Sequence, residues 1–466
     1  VSGRGAPRGE RLGRAVERLT GLPSVAVPVL REGHAIALLE GGAEFFPALE
    51  ADIDAACAEI HLETYILHDD VSARRIVAAL ARAAGRGVAV RVAIDGYGTP
   101  RVPAALSEML AGTTAQLRVF RPERDAQPLD RRRLRRLHRK LVVIDARVAY
   151  VGGINLLDDL VDPNHGTLDR PRLDFAVRVE GPLVADAHRT VQRLWDRLEP
   201  RRLRRVLPVC AAGRSAAPGH ESRAAAAAAE KPAPARGAAR ATPHAGAHGP
   251  AHAPNHAPPH GATRGRRRGA GVYEGLRAML LLRDNFRHRR AIEHEYLDAI
   301  AAARHDILIA NAYFFPGVRM RQALVRAATR GVRVTLLLQG RVEYRLQHYA
   351  TQALYDELLA AGVTVVEYAS SFLHAKVAVA DDWATVGSSN IDPFSLLLAR
   401  EANVVVRDDA FAAHLAGRIR AAIAHGGHPV LAHRHARRAL PVRLANWAAF
   451  ALLRAGVALS GRATRW

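Results

Sequence analysis

The chain repeats itself, and the repeat is built around one short motif. In LHRKLVVIDARVAYVGGIN, residues 137 to 155, His138 and Lys140 are two apart and Asp145 lies five beyond the lysine. In LHAKVAVADDWATVGSSN, residues 373 to 390, His374, Lys376 and Asp381 stand at the same spacing. On a strand, residues two apart project from one face, so each half presents a histidine and a lysine together. A single His-x-Lys would be an ordinary surface feature. Two at matched places, each leading to a glycine turn and an asparagine (Gly152, Gly153 and Asn155; Gly387, Ser388 and Asn390), describe a duplicated site.

The flanking sequence repeats as well. EIHLETY at 59 to 65 corresponds to DILIANAY at 306 to 313, strand-like apolar runs with Glu63 or Asn311 two before a tyrosine. Each leads to a helical pattern and then a strand, through ALARAAGRGVAVRVAIDG at 79 to 96 and LVRAATRGVRVTLLLQG at 324 to 340. The glycine after each helix is a stop signal, and the alternating valines beyond it make a strand. Strand, helix, strand and motif-bearing hairpin, done twice, predict an α/β protein with pseudo-twofold symmetry. Each half is then a mixed β-sheet flanked by helices, with one active site shared at the interface. The expected divisions are a basic amino-terminal segment (1–30), a first half (31–208), a linker (209–270), a second half (271–430) and an amphipathic carboxyl-terminal segment (431–466).

Histidine can act as nucleophile or proton carrier near neutral pH, and lysine supplies positive charge for phosphate oxygens. Together they describe phosphate handling. A reacting histidine needs its second ring nitrogen held, usually by a carboxylate. Asp174 in LDFAVRVEG and Glu401 in REANVVV sit at equivalent places before Val-rich strands, and the repeat assigns Asp174 to His138 and Glu401 to His374.

These motifs resemble those of the phospholipase D superfamily. The wider strings HLETYI, IDGYG, DFAVRVEGP, NAYFFPG, ATVGSSNIDP and EANVVV are similar to bacterial cardiolipin synthases of the short type without amino-terminal membrane spans. The likeness covers roughly residues 31 to 208 and 271 to 410. It implies a two-step phosphatidyl transfer with no metal or other cofactor. One histidine attacks the phosphodiester to form a phosphohistidine, the other protonates the departing alcohol, and an acceptor alcohol displaces the histidine. By resemblance the nucleophile is His138 and the acid, later base, is His374; the sequence does not order them. Lys140, Lys376, Asn155 and Asn390 would hold nonbridging phosphate oxygens. Asp145 and Asp381 complete the motif and are expected to brace the hairpin. In the synthase reading, one phosphatidylglycerol donates its phosphatidyl group to a second, giving cardiolipin and glycerol. Two features depart from the family pattern: the second hairpin is one residue shorter between Asp381 and Gly387, which puts the placement of Asn390 in question, and the linker is an insertion.

With 67 Lys and Arg against 45 Asp and Glu, a net charge of +22, the chain attracts polyanions, either nucleic acid or an anionic membrane. RRRLRRLHRK, residues 131 to 140, places seven Lys or Arg just at the first motif. Low aromatic content and the lack of a recognised nucleic-acid module speak against a nuclease, while the carboxyl-terminal apolar stretch and the synthase-like strings favour lipid; the resemblance implies phosphatidylglycerol as the partner, met by peripheral association at the cytoplasmic face of the cell membrane, with no obligate nucleic acid. At the carboxyl end, Trp447 to Leu459 is apolar except for Arg454; it is too short to span a bilayer and suits either a membrane surface or the protein's own core. The amino terminus has no apolar core of a secretory signal. Residues 209–270, rich in Ala, Pro, Gly, His and Arg, read as a disordered linker, and prolines among its regularly spaced histidines forbid a metal-binding helix. Cys57 and Cys210 make no metal or disulfide pattern. The competing readings are a hydrolase acting on phospholipid or nucleic acid, and a non-catalytic binder of anionic membranes or nucleic acid.

Overall fold

The computed structural model of the protein describes residues 28–122, 135–199, 266–268, 271–284, 288 and 290–458. The linker (but for its residues 266–268), most of the amino-terminal segment, Cys210 and residues 131–134 of the basic run lie outside the described residues.

The first half runs β1 (Arg31–Glu40), α1 (Gly41–Asp54), β2 (Glu59–Thr64), α2 (Val71–Gly85), β3 (Ala89–Asp95), α3 (Ala104–Leu110) and β4 (Gln116–Phe120). It continues through the motif hairpin, β5 (Lys140–Ile144) and β6 (Val148–Gly152), a small ribbon of β7 (Val161–Asp162) and β8 (Gly166–Thr167), then β9 (Phe175–Glu180) and α4 (Val184–Leu198). The second half opens with β10 (Arg266–Arg268) and β11 (Val272–Arg283), and repeats the series as α5 (Ala291–Ala302), β12 (Asp306–Asn311), α6 (Val318–Thr329) and β13 (Arg333–Gln339). There follow α7 (Arg345–Gln352), α8 (Tyr355–Ala360), β14 (Thr364–Tyr368), the second motif hairpin of β15 (Lys376–Ala380) and β16 (Trp383–Gly387), α9 (Pro393–Leu397), β17 (Glu401–Arg407) and α10 (Asp409–Gly426). The described chain ends with β18 (Gly427–Pro429), α11 (Ala432–Ala436) and α12 (Leu440–Val457).

The repeated helices stop as their sequences dictate. Asp70 caps α2 by accepting from the Ala73 N–H at 2.9 Å, and Gly87 beyond its end has φ +89°. Gly331 has φ +88° in the same place after α6. A left-handed residue there turns the chain back into a strand, and glycine adopts it without steric cost.

The strand order is β18-β14-β13-β12-β15-β16-β17-β11-β1-β9-β6-β5-β2-β3-β4. Read outward from β11 and β1, seven strands of each half follow the same list in mirror order, as a pseudo-twofold axis requires, and β18 is added beyond β14 in the second half. The expected two sheets are therefore one continuous sheet. Their join is the antiparallel pairing of β1 with β11, where Ile36 faces Tyr273 and Ala37 faces Val272. Within each half the inner ladders are antiparallel and the outer ones, β2-β3-β4 and β12-β13-β14, are parallel. A large apolar cluster lies in each half, around Leu49, Ile76 and Val92 in the first and Ile292, Leu324 and Leu336 in the second. A third crosses between halves, combining Leu141, Phe175 and Val177 with Val377, Val404 and Phe411. This shared core makes the relation of the two motifs a matter of packing.

Candidate active site

Both histidines stand just before the first residue of a buried strand, and both line one cavity of about 510 Å³. Short backbone bridges between the halves put them there. The His138 N–H donates to Arg400 O at 3.1 Å, and Arg400 N–H donates to Arg136 O at 2.8 Å. On the other side, the His374 N–H donates to Leu173 O at 2.8 Å, and Leu173 N–H donates to Phe372 O at 3.0 Å. Each histidine is thus stitched to the segment that precedes the other half's carboxylate.

The consequence corrects the pairing expected from the repeat. His138 Nδ1 lies 3.0 Å from Glu401 Oε1, and His374 Nδ1 lies 2.6 Å from Asp174 Oδ2. Each half supplies the carboxylate for the other half's histidine. Both acids are buried, so each imidazole is held with its Nε2 free. The Ser388 hydroxyl also donates to Glu401. At the equivalent position, Gly153, an added Cβ would stand 2.2 Å from Asp174 Oδ1, so no side chain fits there.

Lys140 and Lys376 are buried, at 5% and 0% exposure, and each ammonium donates to the carbonyl of its own histidine. Burial and mutual repulsion lower Lys140 to about 7; burial lowers Lys376 to about 8. Burial also lowers His138, and burial with the neighbouring Lys376 charge takes His374 down to about 3. Burial works to raise Asp174, but the Lys376 charge and the hydrogen bonds from His374 and the Phe175 N–H outweigh it and hold the carboxyl below its usual range. Near neutral pH the site therefore holds two neutral imidazoles beside two buried lysines, with the Lys376 ammonium 4.0 Å from Asp174 Oδ2.

Asn155 lines the cavity, with Oδ1 accepting from the Ile66 N–H at 3.1 Å and its amide nitrogen available as donor. Asn390 is buried, with its Nδ2 3.5 Å from Ser395 Oγ. The shorter second turn does not cause this difference. Lys140 faces Gly152 in the first hairpin and Val377 faces Val386 in the second, so both ladders end flush at the glycine, and the missing residue comes out of the distant tip.

Asp145 and Asp381 stand at that tip, roughly 16 Å along the strand from the lysines. Asp145 accepts from the N–H groups of Cys57, Ala58 and Glu59 at 2.8, 2.8 and 2.9 Å. Asp381 accepts from those of Arg304, His305 and Asp306 at 2.7, 3.1 and 2.9 Å. Burial works to raise both carboxyls, but the backbone donors prevail and lower them. The third motif residue thus braces hairpin to neighbouring strand and is separate from the reacting end.

Two site residues have no role legible in the sequence: Tyr65, whose ring centroid lies 4.7 Å from that of His138, and Ser388. Their signal was position alone, the tyrosine after β2 and the serine in the glycine turn. Among the described residues, Glu59, His61 and His188 are close enough to share a metal ion, but the Arg91 guanidinium is 3.1 Å from His61 Nε2 and 3.2 Å from Glu59 Oε2 and already supplies a cation there.

Residues 49–168 and 296–422 match the family model described as cardiolipin synthase, phospholipase D-like domain. The chain is 37% identical over 383 residues to cardiolipin synthase B of Salmonella typhi, covering 82% of this chain and 78% of that protein. It is 36% identical over 382 residues to cardiolipin synthase B of Escherichia coli K12, with the same coverage. It is 27% identical over 390 residues to the major cardiolipin synthase of Bacillus subtilis, covering 83% of this chain and 68% of that one. Its fold is similar to a crystal structure of phosphatidylserine synthase from Haemophilus influenzae, with a TM-score of 0.60, 12% identity, and 98% and 99% of the two chains covered. Two histidines on matched hairpins, held crosswise by buried carboxylates, together with this likeness, make the chain a phosphatidyltransferase of the phospholipase D superfamily, within its cardiolipin synthase family.

Proposed function

We propose that the protein makes cardiolipin by transferring the phosphatidyl group of one phosphatidylglycerol to the glycerol hydroxyl of another, with release of glycerol. The observation that carries this reading is the pair of neutral, carboxylate-held histidines facing one cavity above two buried lysines. In the first step His138 Nε2 forms a bond to phosphorus, the bond from phosphorus to the glycerol oxygen breaks, and His374 gives that oxygen a proton. In the second, His374 takes the proton of the acceptor hydroxyl, the new oxygen–phosphorus bond forms, and the bond to His138 breaks. His374 must be protonated for the first step. An incoming phosphodiester offsets the lysine charge that depresses it, so substrate binding favours the acid form. Lys140, Lys376 and the Asn155 amide would hold the nonbridging oxygens; Asn390, turned toward Ser395, would act by shaping the turn.

Peripheral attachment to an anionic membrane, at its cytoplasmic face, is part of the same proposal. Among the described residues no helix is long and apolar enough to cross a membrane. Helix α12 docks on α7 through Ala449, Phe450 and Leu453 and leaves Leu440, Leu444, Trp447 and Leu452 between 47% and 70% exposed, with Arg443 and Arg454 on the same helix. An apolar face beside basic residues suits an anionic lipid surface.

The test is to incubate the full-length protein with phosphatidylglycerol vesicles and follow cardiolipin and glycerol. Wild type is expected to form both, and His138→Ala and His374→Ala each to lose at least about a thousandfold in turnover. Trapping labelled lipid phosphate on wild type and on His374→Ala, but not on His138→Ala, supports the order given. Cleavage of DNA without lipid transfer would overturn the reading.

A further inference from the structure

The cavity is not uniformly suited to phosphate. Away from the histidines, its wall carries three carboxylates: Asp159 and Asp162 between β6 and β8, and Glu343 beyond β13. Asp162 is spent on structure, accepting from Arg172 Nη2 at 3.0 Å and lying 2.9 Å from His165 Nδ1. The other two are half used. Asp159 takes the Gly42 N–H on Oδ2, and Glu343 takes the Tyr313 hydroxyl on Oε2 at 2.6 Å. Burial raises both, Asp159 to about 6.

In a chain of net charge +22 that draws in an anionic lipid, acids on the cavity wall oppose the phosphate and need another reason to be there. A carboxylate with one oxygen engaged offers the other as acceptor, and an alcohol-bearing headgroup brings O–H donors. The first half has no acid in the place of Glu343: with Gly96 matched to Gly340, that place is held by Thr99, whose hydroxyl donates to Tyr65 O at 3.2 Å and accepts from the Leu67 N–H at 2.9 Å. The pseudo-twofold site is therefore asymmetric where the two alcohols of the reaction must differ.

We propose that Glu343, oriented by Tyr313, together with Asp159 forms the subsite that receives the hydroxyls of the acceptor headgroup, and so selects a polyol over water. This rests on the transfer reading above and adds the acceptor's place in it. Glu343 and Asp159 touch the acceptor; Tyr313 is a positioning residue.

The test uses the full-length protein, phosphatidylglycerol vesicles and labelled free glycerol as a second acceptor, whose concentration varies independently of the lipid. Exchange of labelled glycerol into phosphatidylglycerol reads the acceptor step, and phosphatidic acid reads transfer to water. Glu343→Gln is expected to raise the KM for glycerol about tenfold, the loss of one charge-assisted hydrogen bond, with kcat at saturating glycerol within about twofold and product shifted from cardiolipin to phosphatidic acid. Asp159→Asn should act in the same direction, and Tyr313→Phe more weakly. If wild type forms cardiolipin and a folded Glu343→Gln keeps both its glycerol KM and its product ratio, the subsite assignment is overturned alone. If wild type forms no cardiolipin, the transfer reading fails and this falls with it. An equal effect on free glycerol and on the lipid acceptor locates recognition in the headgroup, whereas preference of wild type for ethanolamine over glycerol, lost in Glu343→Gln, would overturn the polyol class in favour of an ammonium.

Discussion

At the scale of single residues, charge state governs this site. Lys140 and Lys376, at about 7 and 8, are charged below those values and neutral above them, and it is the charged form that binds phosphate. The kcat/KM for phosphatidylglycerol is therefore expected to fall as pH rises through 7 to 8. Bound phosphate restores the lysine charge, so kcat should fall later, at higher pH. Initial rates from pH 6 to 9.5 check this; a kcat/KM flat to pH 9 would contradict it. Gly153 makes a second residue-scale prediction, because any side chain there meets the Asp174 carboxylate. Gly153→Ala should displace Asp174 from His374 and lower kcat by about 10- to 100-fold, the usual cost of losing a partner that orients a reacting histidine. Ser388→Ala, which removes one hydrogen bond to Glu401, should cost less. Parallel kinetics of the two variants give the comparison. The identities of the reacting residues were legible in the sequence because the repeat displays them twice. The protonation states were not, since they follow from burial among neighbours that come from both halves.

At the scale of elements, the hairpins are held by groups that never meet the substrate. Asp145 and Asp381 each gather three backbone N–H groups at the far tip. Asp145→Asn, which keeps one acceptor oxygen and loses the charge, should destabilise the protein by about 1–3 kcal/mol. It should leave turnover per folded molecule within a few-fold of wild type, unlike the histidine variants. Denaturant unfolding and kinetics on the same preparations separate the two effects. The first half also buries an ion pair between Glu63 on β2 and Arg139 on the lead into β5, both 3% exposed. The second half has Asn311 and Ala375 instead, and Asn311 Oδ1 accepts from the Ile391 N–H at 3.1 Å. Glu63 and Asn311 are corresponding positions in the repeat, but only their tertiary neighbours decide that one answers a charge and the other a backbone group. The helix stops at Gly87 and Gly331 were readable because a positive φ is a local demand. The joining strands β1 and β11 were not, because their pairing is set by a partner hundreds of residues away in the chain.

At the scale of the whole molecule, α12 is the element whose surface implies something outside the protein. One face of this segment packs on α7, as the reading of a helix docked on the protein's own core expects, and the other face is open, which makes the membrane-surface reading a matter for experiment. Replacing Leu444 and Trp447 with glutamine should reduce sedimentation with phosphatidylglycerol vesicles at least about tenfold while leaving the fold unchanged, since the packed residues Ala449, Phe450 and Leu453 are retained. Unaltered sedimentation would remove α12 from the membrane surface. Duplication, fold class, the two histidines with their lysines and the family were determined by the sequence alone, because each is a matter of local pattern occurring twice. Which carboxylate serves which histidine was decided only by the tertiary structure. A repeat shows which positions correspond, but a pseudo-twofold axis can bring a residue to its own half or to the other. Here the bridges of Arg400 to His138 and of Leu173 to His374 carry each acid across that axis, so neither half alone can hold a reacting histidine in place.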